Sequence, residues 1–253
     1  DILKSIIKSN SLPDELRPKV WPALLGVHGK RSSFKRRKEL ILKSCESLPI
    51  PELASSIIAE YSQSRGLIPK SQFATILSPL LSLGLDDDVT YNCFYSAVNK
   101  FHPRADTETV KCYLDLLVQY FDPEYARSLQ SNKLDYSHQA AVWIESMFVS
   151  FLSDKTLLSF FDLIFQSTDG LVLLFIALVC LMNRRDNPEL DINDIQSDDL
   201  TDLIQLAYFY QEKTPFSFLQ RMRDEILKGK KNKTEIKDYL VLPISAEQVV
   251  KVN

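Results

Sequence analysis

Leu16-Arg17-Pro18-Lys19-Val20-Trp21-Pro22-Ala23-Leu24-Leu25-Gly26 is the stretch on which the fold of this chain turns. Arg17 stands four residues ahead of Trp21, so in a helix the two share a face. There the guanidinium can stack over the indole or reach a carbonyl beyond it. Leu24 and Leu25 continue that face, and Gly26 supplies a natural stop. Just upstream, Asn10-Ser11-Leu12-Pro13 breaks a first amphipathic set made by Ile2, Leu3, Ile6 and Ile7. Asp14 is then placed to cap the helix that carries the Arg–Trp pair.

Helical periodicity dominates the chain beyond Gly26. Lys30 to Lys43 is strongly basic and continues helically through Leu40, Ile41 and Leu42, and Leu53, Ile57, Ile58 and Tyr61 make a helix ending near Arg65-Gly66. Phe73 to Leu83 reads as a buried helix with one proline. Asp86-Asp87-Asp88 caps Val89 to Phe101, where Tyr91, Phe94, Tyr95 and Val98 share a face. Thr109 to Tyr120 repeats the pattern and Pro123 opens a short connector. Ala140 to Leu152 is expected to pack Trp143, Met147, Phe148 and Phe151 inward, with a further helix over Thr156 to Phe165. Leu171 to Met182 is apolar all round, too short at about 12 residues to cross a bilayer and therefore a core helix. Asn187 to Asp199 reads as an acidic surface loop, Leu200 to Tyr210 and Phe216 to Leu227 as helices. The lysine-rich stretch after Leu227 reads as a solvated linker. Beyond it Tyr239 to Ile244 reads as a strand, and Ser245 with Gln248 as a capping box.

Composition narrows the function classes. Six glycines in 253 residues, with no G-x-G-x-x-G and no G-x-x-x-x-G-K, argue against a dinucleotide fold or a phosphate loop. A net charge of −3 does not favour nucleic acid as the partner. Cys45, Cys93, Cys112 and Cys180 are scattered in apolar helical settings without a C-x-x-C pair, which fits buried free thiols in a reducing cytosol. His28, His102 and His138 have no companions at ligand spacing, so no metal and no cofactor is expected. The chain opens with Asp1 and shows no signal-like segment, and reads as a piece without its native start.

The Arg17–Trp21–Gly26 spelling resembles the opening motif of TBC domains, an all-helical family whose active members accelerate GTP hydrolysis by Rab GTPases. Ile76-Leu77-Ser78-Pro79-Leu80 resembles the end of that family's glutamine motif, Tyr-x-Gln-Gly-Met-Asn followed by an apolar helix. Trp143 with Met147 and Phe148 resembles its Trp-Phe stretch, Phe161-Asp162-Leu163-Ile164-Phe165 its Trp-Asp-x-x-Phe helix, and Leu174 to Leu181 the helix after it. The resemblance implies an all-α, two-lobed TBC domain over residues 1–228, a basic linker over 229–238 and the start of a second domain over 239–253. Arg17 and Trp21 are expected to form a structural stack inside the first helical layer, and Asp162 to cap or pair within the fold.

Active TBC domains insert an Arg and a Gln from two motifs into the GTPase, and neither motif is intact here. Anchoring on Ile76-Leu77-Ser78-Pro79 puts Ser71 where the catalytic Gln stands. Gln72, one residue on, is turned by about 100° on a helix. The arginine motif, Ile-x-x-Asp-x-x-Arg-Thr, is expected within Ile57 to Arg65. Read from Ile57 it gives Glu60 and Gln63, and from Ile58 it gives Tyr61 and Ser64. Arg65 fits neither frame, and Gly66 follows it instead of Thr. The resemblance is strongest to the branch in which a degenerate TBC domain precedes a rhodanese-like domain, on Tyr91-Asn92-Cys93-Phe94-Tyr95, Asn99-Lys100, Pro103-Arg104 and Lys213-Thr214-Pro215. Leu242 to Glu247 resembles the opening of that rhodanese-like domain. The branch implies a non-catalytic adaptor, cytoplasmic and peripheral at the trans-Golgi network and endosome-derived vesicles, that binds golgin tethers. The rival expectation is an active GTPase-activating protein using Arg65 and Gln72.

One surface feature exceeds background, the cluster Lys30, Arg31, Lys35, Arg36, Arg37 and Lys38. It is either a solvated helix face or a docking site for an acidic partner segment or anionic lipid headgroups, at about 1 kcal/mol per basic residue near a charged membrane. Charge reversal at Arg36 and Arg37 is then expected to weaken binding at unchanged melting temperature. The acidic stretch Asp191 to Asp202 and the Asp86 triplet suit a basic peptide instead.

Overall fold

The computed structural model describes residues 12–30, 34–44, 50–69, 72–188 and 192–230. Within them the chain forms twelve α-helices and no strand. These are α1 (Arg17–Leu24), α2 (Phe34–Ser44), α3 (Glu52–Arg65), α4 (Gln72–Leu81), α5 (Asp87–Phe101) and α6 (Thr107–Phe121). They continue with α7 (Pro123–Ser131), α8 (Tyr136–Glu145), α9 (Asp154–Ile164), α10 (Val172–Asn183), α11 (Leu200–Lys213) and α12 (Phe216–Met222). Short 3₁₀ turns stand at Asp14–Leu16, Ile192–Asp194 and Ser197–Asp199, and Arg223–Leu227 is a π turn. The expected strand over Tyr239 to Ile244, the capping box after it and most of the linker lie outside the described residues, as does Cys45.

Two lobes are set by which helices pack. α2, α3, α4 and α5 pack on one another in the first. In the second, α6, α8 and α11 surround α10. α10 is buried on every side from Val172 to Leu181, which is why its sequence shows no polar face. α1 packs on α5, and the π turn after α12 returns to α5, so both ends of the described chain tie the lobes together. At that seam the Ile226 carbonyl accepts from the Arg104 N–H at 2.7 Å. Gly170 sits just before α10 so close to the end of α5 that an added Cβ would lie 1.8 Å from the Lys100 carbonyl oxygen.

Several boundaries differ from the sequence expectation. The helix carrying Trp143 stops at Glu145. Met147 and Phe148 then take positive φ of 50° and 65°, both side chains remaining buried. Pro123 begins a helix, because Asp122 caps it by accepting from the Tyr125 N–H at 2.9 Å. Asp14 and Asp86 make no side-chain cap bond; Asp14 pairs with Arg17 instead. The acidic stretch after Asn187 holds two 3₁₀ turns and is not plain loop. Gly26 does end its helix, at φ +66°.

Candidate functional site

The Arg–Trp motif converges on one carboxylate. Arg17 Nε donates to both Asp162 oxygens at 3.1 Å, its terminal nitrogen to Oδ2 at 2.8 Å, and Trp21 Nε1 to Oδ1 at 2.7 Å. All three residues are buried. The indole is turned edge-on to Phe161 at 5.8 Å and Phe165 at 5.2 Å, so it packs on its neighbours and does not carry the guanidinium. Arg17 and Trp21 are therefore joined through a shared acceptor on α9, and not by the stack that their spacing suggested. Burial pushes the Asp162 carboxyl above the usual carboxylate range, against the pull of the Arg17 and Trp21 hydrogen bonds. Nothing in this trio faces solvent. Its work is to clamp α1 to α9.

Of the residues singled out by the arginine- and glutamine-motif expectations, Glu60, Tyr61, Gln63, Ser64 and Arg65 lie on α3 and Gln72 opens α4. Ile57 and Ile58, the starts of both arginine-motif frames, are fully buried. Glu60 is buried too and accepts from Arg37 of α2 at 2.5 Å. Gln63, Ser64 and Arg65 reach the surface at the last turn of α3, and Gly66 closes the helix in the left-handed region at φ +63°. Ser64 Oγ donates back to the Tyr61 carbonyl at 2.8 Å. The Arg65 guanidinium lies 4.9 Å from the centre of the Tyr95 ring. Ser71 lies outside the described residues, and Gln72 is exposed at the first position of α4. The arginine pattern laid instead from Ile41, buried near the end of α2, gives Ser44, Ser47 and Leu48, the last two outside the described residues.

Behind these positions stands an aromatic wall. Tyr61 meets Phe73, Phe94 and Tyr95 edge-on at 5.4–5.7 Å, and Phe34 stacks on Tyr91 at 4.9 Å. Tyr61 Oη donates to Asn99 Oδ1 at 3.4 Å, which Arg104 also reaches at 3.3 Å. Burial raises the Tyr61 and Tyr91 phenols, so both stay protonated at neutral pH. Leu67 and Ile68, which follow Gly66 after α3, are exposed, Ile68 at 84%. The surface thus combines guanidinium, phenol and apolar groups.

The basic cluster is spread by the fold. Lys30 and Arg36 are exposed, Arg37 bridges to Glu60, and Lys38 is half-buried, 3.2 Å from Asp87. Arg31 lies outside the described residues, as does the side chain of Lys35. Two of the six charges are therefore partly spent on holding α2 to α3 and α5. Sequence reasoning also missed three side-chain networks, one of them buried. Glu225 accepts from the Tyr113 hydroxyl at 2.7 Å and from Arg221 at 2.8 Å; Asp169 binds Arg223 and Gln211, each at 2.6 Å; and Asp122 pairs with Arg185. Their partners lie up to 112 residues apart, and only the i,i+4 pair Arg221–Glu225 leaves a trace in the spacing. Among the described residues no group of three His, Cys, Asp or Glu side chains could hold a metal ion.

Comparison with known proteins places this geometry. Residues 71–190 match the family model of the Rab-GTPase-TBC domain. The structure is similar to that of the Ypt/Rab-GAP domain of Gyp1p, with a TM-score of 0.59 at 14% identity over 83% of this chain and 92% of that one. It is similar also to the TBC domain of Skywalker from Drosophila melanogaster, with a TM-score of 0.55 at 17% identity over 87% and 88%. A structure of that Skywalker domain in complex with inositol(1,4,5)triphosphate gives 0.50 at 16% over 92% and 91%. The fold is that of TBC domains.

Proposed function

We propose that this chain is a non-catalytic TBC adaptor of the kind typified by TBC domain family member 23, recruiting golgin N-terminal segments at the trans-Golgi network to capture endosome-derived vesicles. One observation carries the non-catalytic part of the reading. At the window expected for the arginine motif, the two frames present Gln63 and Ser64, and the nearby Arg65 is laid on Tyr95 and followed by Gly66. An arginine finger contributes about 10³–10⁵ in rate where GTPases use one. Its loss together with a Gln leaves binding as the property for which such a domain is kept. The golgin part rests on the resemblance of Tyr91 to Tyr95, Asn99-Lys100 and Lys213-Thr214-Pro215 to that branch.

Lys30, and Arg36 one helical turn from the exposed Leu40, are the exposed residues of the basic cluster available to meet an acidic helical segment or anionic headgroups. The complex of the Skywalker domain with inositol(1,4,5)triphosphate lends weight to an anionic ligand on a fold of this kind. A Rab GTPase bound without turnover fits the same reading. Pull-down of purified golgin N-terminal segments tests it: retention is expected, weakened by Arg36→Glu, and no retention of any segment overturns the golgin assignment. The competing reading, an active GTPase-activating protein, draws on the exposure of Arg65 and Gln72 at the ends of successive helices. It requires acceleration of a Rab that Arg65→Ala abolishes.

A further inference from the structure

α11 lies on the outside of the second lobe. Leu200, Leu203, Ile204 and Ala207 are buried on its inner face, which packs on α10, and the opposite face is exposed. Along that outer face Asp202, Leu206, Phe209 and Lys213 form one stripe, spaced four, three and four residues apart, the rhythm of a helix–helix seam. Leu206 is 39% and Phe209 51% exposed. The apolar surface continues sideways from Phe209 through half-buried Tyr210 and Phe121 to exposed Tyr120, with successive ring centres 5.8, 4.7 and 4.9 Å apart. Single apolar side chains are ordinary on a surface. A connected run of aromatics beside a helix seam marks a contact face.

The charges at the two ends of the stripe say what covers it. Asp202 stands at one end and Lys213 at the other, the Lys213 ammonium 5.6 Å from the centre of the Phe209 ring. The spacing of four, three and four reads the same from either end. A second copy laid antiparallel across a two-fold axis therefore matches every position. Asp202 meets Lys213 and Leu206 meets Phe209, each contact made twice. Laid parallel, the same two helices set Asp202 against Asp202 and Lys213 against Lys213, which opposes them. The stripe is thus complementary to itself in one direction only.

We propose that the outer face of α11 is a self-association surface on which a second copy of this chain docks antiparallel, about a two-fold axis midway between Leu206 and Phe209. The surface is separate from the basic face and independent of the golgin reading. One helix face covers less than the roughly 1,200–2,000 Å² that stable interfaces bury, so the pair forms at micromolar and not at nanomolar concentration.

Sedimentation equilibrium of this chain between about 1 and 300 μM tests the proposal, with a reversible monomer–dimer equilibrium of Kd about 10–100 μM expected. Asp202, Phe209 and Lys213 are all exposed, so their variants are expected to fold, as thermal melting of the dilute protein checks. Phe209→Glu is expected to leave only monomer. Asp202→Lys alone, or Lys213→Asp alone, sets like charges opposite one another twice and is expected to weaken dimerisation about tenfold or more. The double swap Asp202→Lys/Lys213→Asp restores the pairing and is expected to return Kd to within about threefold of the starting value. A monomer at every concentration, the result that a docking face for a different protein would give, overturns the proposal. So does a dimer that survives Phe209→Glu, or a double swap that rescues neither single change.

Discussion

At the residue scale the chain invests most in a buried ion pair. Arg17 and Asp162 stand 145 positions apart in sequence and bond through both carboxylate oxygens, with Trp21 donating to one of them. Removing one partner strands the other charge in the interior, at about 3–5 kcal/mol. Asp162→Ala is therefore expected to lower the urea midpoint by that equivalent or prevent folding, whereas substitution of the exposed Gln63 leaves it in place. Gly170→Ala is a second such position, because the new methyl has no space beside the Lys100 carbonyl. It is expected to destabilise by about 3 kcal/mol or more, read from the same denaturation curve. The thiols give a pH-dependent prediction. Burial pushes Cys93 and Cys180 up to about 12 and raises Cys112 as well. The folded state thus keeps protons that the unfolded chain loses near pH 9, so this contribution to stability is full below pH 9 and is lost as pH rises towards 12. Iodoacetamide at pH 8 is accordingly expected to leave all three unmodified until denaturant is added, as mass spectrometry of the digested protein reports.

At the element scale, legibility tracked how local the signal was. α10 could be read because every residue from Val172 to Leu181 is apolar, a pattern that only a helix buried all round produces. The end of α8 could not. Apolar spacing runs on through Met147, Phe148 and Phe151, and the turn is made by two buried residues at positive φ without a glycine to mark it. α7 was missed for the opposite reason. Only Tyr125 and Leu129 are buried along it, too few for a period to show, and its start rests on the Asp122 cap. Arg17 and Trp21 were legible as a shared face, but their common acceptor was not, since nothing in local spacing reports a partner on α9. On the candidate site, the basic run was visible while its division was not. Arg37 and Lys38 serve α3 and α5, and Arg36 is exposed. The expectation for charge reversal therefore splits. Arg36→Glu should leave the melting temperature within about a degree or two while weakening partner binding, as for other surface changes. Arg37→Glu should lower it, since it sets a second carboxylate against buried Glu60. Equal melting temperatures for the two variants would mean that the bridge does not hold α2 to α3.

At the scale of the whole molecule, the chain folds as TBC domains do, in two lobes, with α1 clamped to α9 by Arg17, Trp21 and Asp162. The clamp and the seam at Ile226 join the lobes without using Gln63, Ser64, Arg65 or Gln72. At the end of α3 the exposed Arg65 lies on half-buried Tyr95 over a buried aromatic wall, and Ile68 beyond the helix is exposed. On the reading proposed above, this surface serves contact and not turnover. The decisive experiment is single-turnover GTP hydrolysis by a panel of Rab GTPases, each with and without this domain at saturating concentration. Hydrolysis rates are expected to stay unchanged for every member of the panel, including any that bind. Acceleration of even one Rab that disappears on Arg65→Ala would contradict the non-catalytic reading.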